Sequence, residues 1–419
     1  MDRPPTSADG PAPRWRLVGP GLVAAATGVG AGDLVAALVA GSRFGYALLW
    51  AAVVGCLLKI VLVEGAGRWT LATGQTLFQG WHGLGRWTSA YFAPYILIWG
   101  FVYGAAAMTS SGLPLAALFP AIGLKTWAIG NGLLGGLLVW FGRYALFEKV
   151  VAVLVGVMFV TVVGAAAVTL PNLGQIAAGL VPSVPREGGL FYALGLAGGV
   201  GGTITLAAYG YWIREKHWQG PAWIRVMRLD NTVAYLMTGL FVAAMLVVGA
   251  ELLHSANIAL AGGARGLVDL ADVLGQRYGR LMAVVFLLGF WASSFSSLIG
   301  VWNGVSLMFA DCAGRLRRLP DHHPDTRAGG RYYRGYILWL SFPPMSLLFL
   351  DRPFVLIIGY GVLGALFMPF LAITLLWLLN SKRIAAPWRN GLKGNLGMGV
   401  CALIFLVLCL DQVWKLLSA

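Results

Sequence analysis

An all-α integral membrane protein, built as an inverted repeat of five plus five helices with one extra, is the fold this sequence predicts. Three observations carry that expectation. Hydrophobic residues make up 58% of the 419 and charged residues only 11%, with a mean hydropathy of +0.77, which is too apolar for a soluble globule. Apolar stretches recur near 17–40, 46–69, 88–112, 126–142, 145–170, 191–213, 229–253, 281–310, 333–350, 352–379 and 395–418. Each approaches the ~20 residues a helix needs to cross the hydrocarbon core, and none alternates as a barrel strand does. The first and sixth stretches are broken by glycine, as Thr27-Gly28-Val29-Gly30-Ala31-Gly32-Asp33 and Gly198-Gly199-Val200-Gly201-Gly202-Thr203-Ile204-Thr205.

Taken in order, the chain opens on a polar tail, 1–16, whose Arg14 and Arg16 precede an apolar run as in a signal peptide. The run continues to about Ala40, long enough to span, so it reads as a retained helix. The second span carries Lys59, nine residues before Arg68 and so about 13 Å inward from that end at 1.5 Å per residue. Glu64 and Arg68 stand at i,i+4 and read as a structural pair. The third span holds no Asp, Glu or His. Glu148-Lys149 opens the fifth span, Arg214-Glu215-Lys216 closes the sixth and Asp230-Asn231 opens the seventh, boundary charges that set helix depth or join in an inner gate. The eighth is rich in hydroxyls, Ser293, Ser294, Ser296 and Ser297, with Asn303 beyond. Only the connections 254–280 and 311–332 are long, and the His322-His323 pair in the second reads as solvated.

Two groups of five spans, each beginning with a broken one and each odd in number, must lie in the membrane in opposite senses. The expected organisation is a tail at 1–16, a first repeat at 17–170, a second at 191–379 and an eleventh helix at 395–418. The net charge of +14 would suggest nucleic acid in a soluble protein, but here the Lys and Arg crowd short connections. They fall 21 on the side of the N-terminus and 8 on the other, with Lys59 inside a span. This places the N-terminus in the cytoplasm and the C-terminus outside, and the short loops suit a bacterial inner membrane. The four cysteines, Cys56, Cys312, Cys401 and Cys409, show no metal spacing and read as packing residues. There is no P-loop, hydrolase elbow or zinc-protease motif, so neither an enzyme nor an ATP-driven pump is expected, and no cofactor or obligate protein partner.

Paired broken helices point to a transport site at the membrane midplane, where freed carbonyls and half-helix ends act as ligands. Asp33, a carboxylate at that depth, is the leading candidate, since intramembrane acids rarely lack a role; its bland reading is a cap on the restarting helix. Thr205, with carbonyls near Gly30 and Gly202, completes the candidate set, although a membrane threonine commonly bonds its own helix. Lys59 is a possible charge partner: paired with Asp33 it makes the site neutral, and otherwise it meets Glu64 or a carbonyl.

Gly19-Pro20-Gly21, the stretch Ala40-Gly41-Ser42-Arg43-Phe44-Gly45-Tyr46-Ala47-Leu48-Leu49-Trp50, and Leu71-Ala72-Thr73-Gly74 resemble the start of the Nramp metal-ion transporters, with weaker similarity at Gly201-Gly202-Thr203-Ile204 and Met368-Pro369-Phe370. The resemblance implies a LeuT-type fold, the inverted repeat typified by the leucine transporter. It also implies a divalent cation as cargo. The family's Asp-Pro-Gly-Asn ligand motif falls on Gly30-Ala31-Gly32-Asp33, so the first carboxylate is missing, and its Met-Pro-His-Asn stretch falls on Thr205-Leu206-Ala207-Ala208, which removes thioether and histidine. Oxygen in place of sulfur favours hard ions such as Mg²⁺ and Mn²⁺. The family's proton relay uses acids on the third helix and histidine on the sixth; both are missing here, so uncoupled passage is the expectation. The alternative is a sodium- or proton-coupled carrier of a small organic solute such as an amino acid, with Ser293 and Ser294 beside the first span's carbonyls as ion ligands.

Overall fold

The computed structural model describes residues 19–169, 171–185, 189–199, 201–254, 264–321, 323–350 and 353–418. Backbone alone is described at 31–35, 191, 198–199, 264–269, 353–359, 361–362, 365, 412–413 and 415–418, so the Asp33 side chain lies outside the described residues, as do the 1–16 tail and His322. Every regular element among the described residues is helical.

The first span is two helices, α1 (Pro20–Gly28) and α2 (Ala31–Phe44). Pro20 opens α1, where a missing N–H costs nothing. A turn through Gly45, whose φ of +57° suits glycine, leads to α3 (Leu49–Thr73), and Gly74 at φ +68° ends it with a left-handed cap. Thr76 and Gln79 form a capping box that starts α4 (Leu77–Leu84). There follow α5 (Arg86–Leu118), α6 (Leu124–Phe141) and α7 (Tyr144–Met158), which passes through a π-helical turn, Phe159–Val163, into α8 (Gly164–Val168). After the short α9 (Leu173–Gly179), the sixth span is again double: α10 (Gly189–Gly199) and α11 (Thr205–Glu215). Then come α12 (Ile224–Gly249), which ends in a second π-helical turn, Ala250–His254, and α13 (Ala264–Tyr278), α14 (Arg280–Leu316), α15 (Arg331–Ser341), α16 (Pro353–Asn380) and α17 (Leu392–Ser418).

Six stretches among the described residues are long and apolar enough to cross a membrane: Leu49–Thr73, Arg86–Leu118, Tyr144–Val168, Pro221–His254, Arg280–Leu316 and Leu392–Asp411. The remaining expected spans are the two broken ones, α6, α15 and α16. Two expectations change. The 254–280 connection contains α13, and Leu270 and Leu274, one turn apart, bury its apolar side. The ninth span is α-helical only to Ser341, because Pro343 and Pro344 cannot continue the ladder, and it proceeds as a 3₁₀ helix, Pro343–Leu350.

At the centre stands α14, packed against α1, α5, α6, α7, α11, α13 and α15. The crossing window of its span is 78% buried, whereas that of α17, which leans on α3, α10 and α16, is 22% buried. α12 lies along α1, α2 and α3. The two broken spans therefore meet between α14 and α12, inside the bundle.

Candidate transport site

The breaks touch through glycine. A methyl group built on Gly202 would come within 2.5 Å of Thr205 Oγ1 and 2.7 Å of Gly28 Cα, and one on Gly28 would come within 2.1 Å of the Gly201 carbonyl oxygen. Only glycine permits this approach, and the left-handed backbone at Gly201 (φ +79°) and Gly202 (φ +87°) demands it as well. Helix pairing supplies no partners for the carbonyls at such a crossing, so side chains do.

In the first break, Ser297 Oγ on α14 donates to Thr27 O at 2.7 Å and Ser293 Oγ to Val29 O at 2.8 Å. Tyr103 on α5 shares a 2.9 Å hydrogen bond with Ser297, and a methyl group on Gly30 would lie 3.2 Å from the same hydroxyl. In the second break, Lys59 Nζ on α3 donates to Gly202 O at 2.5 Å. Lys59 thus meets a carbonyl, one of the partners its position allowed; the Asp33 side chain, another of them, lies outside the described residues.

Thr205 opens α11, is 3% exposed, and its hydroxyl has no hydrogen-bond partner among the described residues. The same holds for Ser294 Oγ on α14. A buried hydroxyl left unpaired costs about 1–3 kcal/mol. The Thr205 oxygen lies at the crossing of both broken spans, beside Gly202. Among the described residues no group of three or more His, Cys, Asp and Glu is gathered to hold a metal. The chemistry available at the crossing is hydroxyl and carbonyl oxygen, with the Asp33 backbone in the first turn of α2.

The boundary charges organise one end of the bundle. Asp230 on α12, 0% exposed, accepts from Gly19 N at 2.8 Å, from Gly21 N at 2.6 Å and from the Tyr209 hydroxyl of α11 at 2.8 Å. It caps α1 from another helix, where the dipole favours a negative charge. Glu148 and Lys216 form an ion pair at 2.6 Å. Glu64 pairs with Arg68 at 3.1 Å, as the spacing required, and also with Arg228 at 3.0 Å. Sequence reasoning passed over Asp311 on α14, which is held by the hydroxyls of Thr76 and Tyr211 at the wall of a polar cavity of about 580 Å³ near the ends of α11 and α14. An acid near the end of a hydroxyl-rich span was the available cue. Asn303, noted for its polarity, receives Trp212 Nε1 at 2.8 Å and donates to Tyr333 at 3.0 Å, so it locks α11 to α14 and α15.

The fold has known counterparts. The chain superposes on the Eremococcus coleocola manganese transporter, solved with an aromatic bis-isothiourea substituted compound, with a TM-score of 0.77 and 17% identity, covering 97% of this chain and 90% of that one. It also superposes on MhsT in complex with L-phenylalanine with a TM-score of 0.61 and 16% identity, covering 97% of this chain and 100% of that one. These likenesses establish the fold as the LeuT-type inverted repeat with its first and sixth helices broken. In sequence, the divalent metal cation transporter MntH of Mycobacterium leprae is 26% identical over 406 residues, 91% of this chain and 85% of that protein. MntH of Chromohalobacter salexigens is 26% identical over 336 residues, 73% and 74% of the two. These relatives are transporters, not enzymes. The profile of the Nramp family, natural resistance-associated macrophage protein-like, matches residues 21–415, and the chain is therefore a membrane protein of the Nramp family.

Proposed function

We propose that this chain carries divalent metal cations, with Mg²⁺ and Mn²⁺ favoured, by alternating access and without the proton relay usual in the family. The observation that carries the reading is the buried Thr205 hydroxyl, without a partner among the described residues, at the point where the two broken spans touch. The names of the MntH relatives and of the manganese transporter that shares the fold support a divalent cargo. The ligand set is the Asp33 carboxylate, the Thr205 hydroxyl and carbonyls near Gly30 and Gly202, hard oxygen donors supplemented by waters that Mg²⁺ retains. The ion is cargo rather than cofactor.

The two repeats, 17–170 and 191–379, rock against each other around this point, with the N-terminus cytoplasmic and the C-terminus outside, in keeping with the Lys and Arg bias. In the sodium- or proton-coupled organic-solute alternative, an ion at the first break would share the Val29 and Thr27 carbonyls with the Ser293 and Ser297 hydroxyls that already donate to them. The deciding experiment is Mn²⁺ and Mg²⁺ flux into proteoliposomes with Asp33→Ala as control. Saturable flux lost on that substitution is expected. Intact protein that moves neither metal would overturn the reading in favour of an organic solute.

A further inference from the structure

We propose that Lys59 is a specificity-determining residue of this site: a resident side-chain cation that holds the unwound carbonyl of the sixth span and sets how tightly a divalent ion binds. The inference deepens the divalent-cation reading and rests on it. Lys59 sits within α3 at 0% exposure. Its Nζ donates to Gly202 O at 2.5 Å, lies 3.8 Å from Met368 Sδ on α16 and stands 5.2 Å from the centre of the Phe405 ring on α17. A buried ammonium persists only where its surroundings replace water. Among the described residues a carbonyl in the second break, a thioether on α16 and an aromatic face on α17 contribute to this, and the cation–π contact is of the desolvated, stronger kind.

This cradle adjoins the crossing, because Gly202, whose carbonyl Lys59 holds, is where an added methyl group would meet both Thr205 Oγ1 and Gly28 Cα. Two effects follow, both of one sign. A positive charge at this range repels an incoming divalent ion through a poorly screening interior. The hydrogen bond also takes a lone pair of an oxygen that the ion would use. In return, the empty site is balanced: Asp33 as the proposed ligand contributes one negative charge and Lys59 one positive. A metal-free carrier then reorients without a proton to neutralise a lone buried carboxylate. Lys59 thereby accounts for the missing relay acids of the third span.

The test is Mn²⁺ titration calorimetry on the purified full-length chain, with Mn²⁺ uptake in proteoliposomes, for wild type, Lys59→Met, Lys59→Gln and Lys59→Arg. Loss of the charge in Lys59→Met is expected to tighten Mn²⁺ binding about tenfold or more. Lys59→Gln, which keeps a donor for Gly202 but no charge, tightens it as well and stands in if the methionine variant does not fold. Lys59→Arg keeps the charge and stays within about threefold of wild type. Unchanged or weaker affinity in folded Met and Gln variants would overturn the role of Lys59 while wild-type uptake leaves the divalent reading intact. A wild type inert to both metals whose methionine variant binds Mn²⁺ overturns the divalent reading and keeps Lys59 as the excluding charge; inert wild type and variants together overturn both.

Discussion

Thr205 separates two roles that a membrane threonine can play. Its hydroxyl does not bond its own helix, the usual outcome, and has no partner among the described residues at 3% exposure. Replacement by valine, nearly the same shape, should therefore leave stability unchanged or raise it by up to about 1 kcal/mol, since an unsatisfied buried group is removed. Thermal melting in detergent measures this, and Mn²⁺ affinity should fall in the same protein. A stability loss would mean the hydroxyl has a structural partner. Gly202 offers the complementary case. Alanine there must adopt φ +87° and press its methyl to 2.7 Å from Gly28 Cα. Strain from the backbone alone costs about 1–3 kcal/mol, so Gly202→Ala should lower the melting temperature and abolish flux together.

Among the elements, α1 is the short arm of a broken span and is held from outside itself. Its first N–H groups, like those of any helix, lack internal partners, and α12 supplies one through Asp230. Asp230→Ala orphans two backbone donors and removes one of the two acceptors of the Tyr209 hydroxyl, which keeps Met227 O at 3.3 Å, and should cost about 2 kcal/mol or more in chemical denaturation. Glu148→Gln breaks an ion pair whose lysine is 34% exposed and should cost under about 1 kcal/mol. Reading boundary charges from sequence treated these two acids alike. The difference is one of direction: Asp230 and Glu148 both open a span, but a linear pattern cannot tell which carboxylate turns inward onto a distant helix start. The helices themselves were legible because the apolar runs are long, and the two breaks because glycines cluster at matching places in the two halves, although single glycines also serve close helix packing. The α13 helix was hidden by its polar composition, and the ninth span ended early at a proline pair whose meaning was available at Pro343-Pro344.

For the whole molecule, the crossing of two broken spans followed from the order of the elements, while the identity of the groups that quench their carbonyls did not. Ser293, Ser297 and Lys59 reach those carbonyls from spans remote in sequence, and such pairings depend on how helices rotate about their axes, which periodicity in an all-apolar span does not encode. The carrier built this way should move Mn²⁺ into proteoliposomes with no accompanying acidification, and its rate should be the same with or without an imposed pH gradient. Internal pH dye and metal dye read simultaneously test this; acidification in step with metal entry would require a proton path through other groups.

The clamp on α1 bears on how such a carrier turns over. Swinging α1 away from α12 breaks the two hydrogen bonds that Gly19 and Gly21 donate to one carboxylate, while Tyr209 of α11 can keep its own bond to Asp230. If α1 moves as the proposed carrier turns over, Asp230 is the group it must release, so opening at that end would be coupled to the loss of a helix cap.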